Sequence, residues 1–252
     1  MHPYLIFTLQ APLGSFGTIA VGERRPSWDR PSKSQIVGFV AAALGIERSD
    51  EPRQSALARS LGFAVRVDDP GQLLQDYHTS QRPSEVAVRM RTRAGAPIAT
   101  RREELAFAPD DIKTSLSRRE YRRDAAYTIA LWITCATDIT LPALAEAIEA
   151  PAFTLFLGRK ANALMFPCGP VVTAPQPDIL AAFAAFDRRD AERRIFRERY
   201  TPAWLVEKRR AAPSTLYADA DVALPDGHST ARTEERRDVP YTRVGWRFLR
   251  RS

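Results

Sequence analysis

Eight residues from Tyr127 to Thr134, Tyr-Thr-Ile-Ala-Leu-Trp-Ile-Thr, run without a single charge. A strand of that composition belongs at the centre of a sheet, covered on both faces. Other segments join it. Tyr4–Ala11 is a short run of strand formers ending at a Pro-Leu-Gly-Ser-Phe-Gly turn signal, and it predicts a buried first strand. Phe63–Val67 alternates and is bounded by Asp-Asp-Pro-Gly, while Phe153–Leu157 predicts a further strand ending at Gly158-Arg159-Lys160. Helices fall between them. Ser32 with Gln35 forms a capping-box pattern, Ile36, Val37, Val40 and Leu44 recur at helical spacing, and Gly45 supplies the stop. Pro52–Leu61 and Leu141–Ala150 predict two more helices. Strand, helix, strand, strand, helix, strand is the split βαβ of an α+β, ferredoxin-like (βαββαβ) palm, the architecture that also underlies RNA-recognition modules.

A basic insert interrupts that palm. Leu73–His78 begins an extended piece, and from Arg82 to Arg123 there are eleven basic residues and no apolar run of core length. Val86, Val88 and Met90 alternate with Arg89, Arg91 and Arg93, which on a two-residue period predicts an arginine-striped strand. Gly95-Ala-Pro97 would turn the chain, and Ile98–Phe107 would return as its partner. The expected organisation is a palm over 1–168 with a basic β-hairpin thumb inserted at about 79–121, then a small, mainly β C-terminal subdomain over 169–252. That last part has prolines at 167, 170, 175 and 177 near its start, a helix at Asp178–Phe186, a charge run at Asp187–Arg199, and closing strands including Tyr241–Arg250.

At 252 residues, 44% hydrophobic and 27% charged, the chain is neither intrinsically disordered nor a disulfide miniprotein. The formal charge of +7 comes from 37 basic residues, of which only Lys33, Lys113, Lys160 and Lys208 are lysines. Arginine's planar fork of donors matches phosphates and base edges, so a polyanion partner is one reading of this bias, and a GC-rich genome is the other. Cys135 and Cys168 lack zinc-site spacing and read as buried thiols in a reducing cytoplasm. The uncharged first 22 residues have no basic n-region and are broken by Pro12, Gly14 and Gly17, so neither a signal peptide nor a membrane span is expected.

Candidate chemistry is sparse. Tyr77 and His78 could act as general base and acid in RNA cleavage, but neighbours on a strand point to opposite faces. Base stacking or a structural hydrogen bond is the alternative. His2 and His228 do not complete a metal site, and no metal or cofactor is expected. Arg159 and Lys160 after Gly158 suit a phosphate cradle without being a P-loop. Trp28 lies in a basic loop, where it could stack on a base or plug the sheet.

Taken in order, Leu9–Gly17, Arg25–Arg48, Asp76–Thr79, Arg119-Glu-Tyr121 followed by Asp124–Thr134, and Phe153–Lys160 resemble the subtype I-E branch of the fifth CRISPR-associated protein family, within the RAMP superfamily. The resemblance implies a non-catalytic, RNA-binding subunit of a Cascade ribonucleoprotein complex in antiviral defence. Such a subunit grips the 5′ handle of the crRNA with palm and thumb, contacts the CasC backbone subunit and the CasA large subunit, and meets target DNA only through the complex. Residues expected to face RNA are Arg24, Arg25, Trp28, Arg30, Lys33, Ser34 and Gln35 around the first helix, whose N-terminus also offers N–H groups to an anion. Tyr77, His78, Arg89, Arg91, Arg93, Arg118, Arg119, Arg159 and Lys160 complete the set. Two rivals remain. One is metal-independent cleavage of CRISPR repeat RNA, and the other is a general single-strand-RNA module.

Overall fold

In the computed structural model, residues 1–18, 20, 22–211, 214–219 and 222 are described, together with the backbone of 236–242 and 247–251. His228 lies outside them, and so does the middle of the expected strand Tyr241–Arg250. The chain divides into two compact units. The first comprises Met1–Phe16, Trp28–Leu73 and Arg122–Ser252, and the second Gly17–Ser27 and Leu74–Tyr121.

The elements, in chain order, are β1 (Leu5–Gln10), β2 (Leu13–Gly14), β3 (Arg24–Arg25), α1 (Lys33–Ala43), α2 (Glu51–Ser60), β4 (Leu61–Asp69), β5 (Gln72–Pro83), α3 (Glu85–Arg93), α4 (Arg101–Glu104), β6 (Ile112–Arg123), β7 (Ala126–Ile133), α5 (Leu141–Glu149), β8 (Val171–Val172), α6 (Ile179–Arg189), α7 (Ala191–Arg199), α8 (Ala203–Ala211), β9 (Thr215–Ala218), β10 (Arg236–Thr242) and β11 (Arg247–Arg251).

The first unit is built on a five-stranded sheet in the order β8-β1-β7-β4-β9, every neighbouring pair antiparallel. The uncharged strand β7 is at its centre, as its composition requires. Alternation along β1 sends Leu5, Phe7 and Leu9 into one core with Val37 and Val40 of α1 and Leu144 and Ile148 of α5. Tyr4 and Ile6 enter a second core with Ala64, Ala130, Trp132 and Phe183 and Phe186 of α6. An RNA-recognition module leaves one sheet face open for base stacking. Here α6 covers it.

The capping box at the start of α1 is present in full, with Ser32 accepting from the Gln35 N–H and Gln35 accepting from the Ser32 N–H at 3.0 Å. Gly45 takes a φ of +70° at the other end, the left-handed turn that stops helices.

The expected strand at Phe153–Leu157 does not form. Ala152 and Phe153 donate instead to the carbonyls of Ala43 and Ala42 at the end of α1, answering groups that a helix C-terminus leaves open. The place beside β1 is taken further along the chain by Val171–Val172. Nor are the described residues of 169–252 mainly β in character. Among the described residues they contribute three helices, while β8 and β9 extend the five-stranded sheet; β10 and β11 form a separate antiparallel pair.

In the second unit, β5 pairs with β6, and β3 adds to β6 in parallel. The two long strands make the hairpin, and its tip is helical. The striped strand expected at Val86–Arg93 is the helix α3, and the expected return strand contains the short helix α4. The local signals for α3 outweigh the two-residue alternation. Ser84 caps the Ala87 N–H at 3.2 Å, Glu85 opens the helix and Arg91 and Arg93 close it, and Gly95 follows at a φ of +74°.

Candidate RNA interface

Within the second unit, the pairing of β3 with β6 sets Arg24 opposite Arg118 and Arg25 opposite Arg119. Like charges on adjacent strands repel. The acid placed among them is Glu120, nearly buried, whose carboxylate accepts from the Ser27 N–H at 3.1 Å and pairs with Arg24 at 3.4 Å. Glu120 thereby fastens the 17–27 loop to β6 and sets where the two loop arginines stand. Arg24 remains largely exposed, and Arg25 folds back onto the Gly22 and Arg24 carbonyls.

On α3 the helical period separates the three expected arginines. Arg89 and Arg93 share one outward side with Val86 and Met90, both exposed. Arg91 turns the other way, donating to the Glu103 carbonyl at 3.2 Å with its guanidinium 5.2 Å from the centre of the Phe107 ring. Along β5, Tyr77 is exposed, and His78 Nε2 stands 2.5 Å from Asp76 Oδ2. Asp76 and His78 share a strand face that Tyr77 does not. The structure does not bring Tyr77 and His78 together as an acid–base pair.

The expected residues of the first unit are mostly engaged in the fold. Arg30 is buried, pairs with Asp29 at 2.6 Å and lies 3.3 Å above the centre of the Tyr217 ring. A guanidinium that is buried, stacked on a ring and tied to a carboxylate is engaged in the fold rather than presented to solvent. Lys33 Nζ meets Asp219 Oδ2 at 2.8 Å. Ser34 is hydrogen-bonded to Ser32, and Gln35 turns its amide to the Ser15 carbonyl while its own N–H is taken by Ser32. The start of α1 is therefore less open to an anion than the sequence suggests. Trp28 is 38% exposed. Arg159 and the exposed Lys160 follow Gly158, held at a φ of +84° where a Cβ would collide with the Ser15 carbonyl oxygen.

Among the described residues, no cluster of His, Cys, Asp and Glu is arranged to hold a metal ion, and no helix is long and apolar enough to cross a membrane.

Residues 4–252 match the family described as CRISPR-associated protein (Cas_Cas5). The chain belongs to this Cas5 family. It is similar to the "CRISPR system Cascade subunit CasD" of Escherichia coli (strain K12), 33% identical over 175 residues that cover 66% of this chain and 70% of that protein. Among solved structures it is similar to a chain of a CRISPR RNA-guided surveillance complex, with 27% identity, a TM-score of 0.47, and coverage of 69% of this chain and 64% of that one. A second, titled "Crystal structure of Cas protein", has 28% identity, a TM-score of 0.42, and coverage of 69% and 67%.

Two residues of this Cas5 chain that matter to the site do not stand out from sequence. Glu120 lies inside the motif Arg119-Glu-Tyr121, where its signal is that of a lone acid among arginines. Asp219 has no local signal at all, because its partner Lys33 is 186 residues away.

Proposed function

We propose that this chain is the CasD-type subunit of a Cascade surveillance complex, a non-catalytic protein that caps the 5′ handle of the crRNA and bridges the CasC backbone and CasA large subunits. Family membership supports the setting, and the order of the sheet supports a ferredoxin-like palm. Strands β1 and β4 flank β7 antiparallel, and the links β1-α1-α2-β4 and β7-α5-β8 supply the two interleaved halves. The observation that carries the RNA reading is the double facing of arginines, Arg24 with Arg118 and Arg25 with Arg119. Such an array is unfavourable on its own and favourable against a run of phosphates.

The single-stranded handle would be held through its phosphates by these arginines and by Arg89 and Arg93, with Tyr77 available for stacking at about 1–3 kcal/mol per base. Cleavage of repeat RNA is the weaker reading, because Tyr77 and His78 occupy opposite faces of β5. The test is incubation of the protein in EDTA with labelled repeat RNA and with mature handle-bearing RNA. Selective binding of the mature RNA without cleavage is expected. Cleavage at one site, abolished by His78→Ala, would overturn the non-catalytic assignment, and equal affinity for unrelated RNAs would overturn handle recognition.

A further inference from the structure

Four arginines of the second unit stand in two facing pairs across β3 and β6, Arg24 with Arg118 and Arg25 with Arg119. An array of this kind attracts any polyanion, because the electrostatic part of RNA binding carries no sequence information. Selectivity needs a further element that penalises the wrong arrangement of phosphates. Glu120, next to Arg119 in β6, is in position to supply it.

Two acids stand close to the array, and they differ in setting. Glu23 is exposed. Its carbonyl accepts the Arg118 N–H at 2.9 Å, while water and ions screen its charge. Glu120 is only 9% exposed, and a charge so enclosed is screened far less. Its two carboxylate oxygens go to two partners, Oε2 accepting from the Ser27 N–H at 3.1 Å and Oε1 from Arg24 Nη2 at 3.4 Å. The first contact fixes the charge in place, since Ser27 is itself bridged to Gly17 and its amide cannot swing away. The second restrains Arg24, whose side chain is 68% exposed and would otherwise range through many rotamers.

We propose that Glu120 is a positioning residue that makes this arginine array selective among RNAs. Its fixed charge repels a phosphate that enters the array out of register, and its hold on Arg24 presents that guanidinium in the direction from which a phosphate in register arrives. The proposal rests on the RNA reading given above.

The experiment measures the affinity of the full chain for a handle-bearing RNA and for a shuffled RNA of equal length over a series of salt concentrations. Glu120→Gln keeps the size of the side chain and an acceptor for the Ser27 N–H but removes the charge. Arg24, released, can take a phosphate of any RNA, so affinity for the shuffled RNA should rise about fivefold at ~0.1 M salt and its slope of log affinity against log salt should steepen by about 0.7. The handle complex uses Arg24 already and should instead weaken about threefold, the cost of ordering one freed side chain. The ratio between the two RNAs should therefore fall at least about tenfold. Glu120→Asp, which keeps the charge, should stay nearer to wild type than Glu120→Gln on both readouts. Arg24→Ala gives a second measurement, at an exposed residue. It should cost the handle more than the shuffled RNA, and in its background Glu120→Gln should change the ratio less than it does in the wild type. A merely loosened loop would weaken both RNAs together. That result, an unchanged ratio in Glu120→Gln, or equal losses in Arg24→Ala would overturn the proposal alone. A wild-type chain with no preference for the handle would overturn the functional reading beneath it.

Discussion

Lys33 Nζ stands 2.8 Å from Asp219 Oδ2, and the same carboxylate oxygen accepts from the Phe63 N–H at 3.1 Å. One acid near the far end of the chain thus neutralises a cation at the start of α1 and satisfies an amide of β4. Both partners of the ion pair are largely buried. Asp219→Ala would remove this partner from Lys33 and this acceptor from the Phe63 amide. Urea denaturation should show a loss of about 3 kcal/mol. A loss below about 1 kcal/mol would mean that water replaces the carboxylate.

Arginines that face RNA and arginines that hold the fold should separate by salt dependence. Arg24→Ala with Arg118→Ala should weaken handle binding and lower the slope of log affinity against log salt by about 0.7 for each phosphate left unneutralised. Arg30→Ala should leave that slope unchanged and lower the melting temperature, since it removes the stacking on Tyr217 and the ion pair with Asp29. Equal slopes for all variants would refute the assignment of the β3–β6 arginines.

Gly158→Ala tests the turn that carries Arg159 and Lys160. The residue would need both a left-handed φ and space already filled by the Ser15 carbonyl oxygen. A destabilisation of at least about 2 kcal/mol is expected in thermal melts.

The two cysteines should differ sharply in reactivity. Burial pushes the Cys168 thiol up to about 12, whereas Cys135 is exposed. Alkylation near neutral pH should modify one thiol in the folded protein and two in urea. The sign of the linkage follows from the raised value. Below the unfolded thiol's range Cys168 has no effect on stability, and between about 9 and 12 the fold loses stability as pH rises, because the unfolded chain releases the proton first. Modification of both thiols in the native state at equal rates would contradict the buried placement.

The parts of the fold legible from sequence are those in which one period and its punctuation agree. β1, β4, β7, α1 and α5 all combine apolar runs with caps or turn residues, and each stands within a few residues of its expected span. Val86–Arg93 departs from its expected strand because so short a stretch accommodates either period, and the deciding signals, Ser84 and Gly95, lie outside the stripe itself. Phe153–Leu157 departs for a non-local reason: the open carbonyls of α1 claim the residues that begin it. The arginines of the candidate site are legible as residue types but not as partners. Whether an arginine meets a phosphate or a tyrosine ring depends on what the chain brings to it from far away, and Tyr217 comes to Arg30 from near the other end of the sequence.

The sheet order β8-β1-β7-β4-β9 has a temporal consequence. Both of its outer strands are among the later elements to leave the ribosome, so β1 and β4 emerge long before their flanking partners exist. A nascent chain stalled near residue 170 would carry two bare sheet edges, each able to recruit a foreign strand. Synthesis of this protein should therefore depend on chaperone cover until Ala218 has been made, and truncations before that point should aggregate rather than yield a smaller soluble domain.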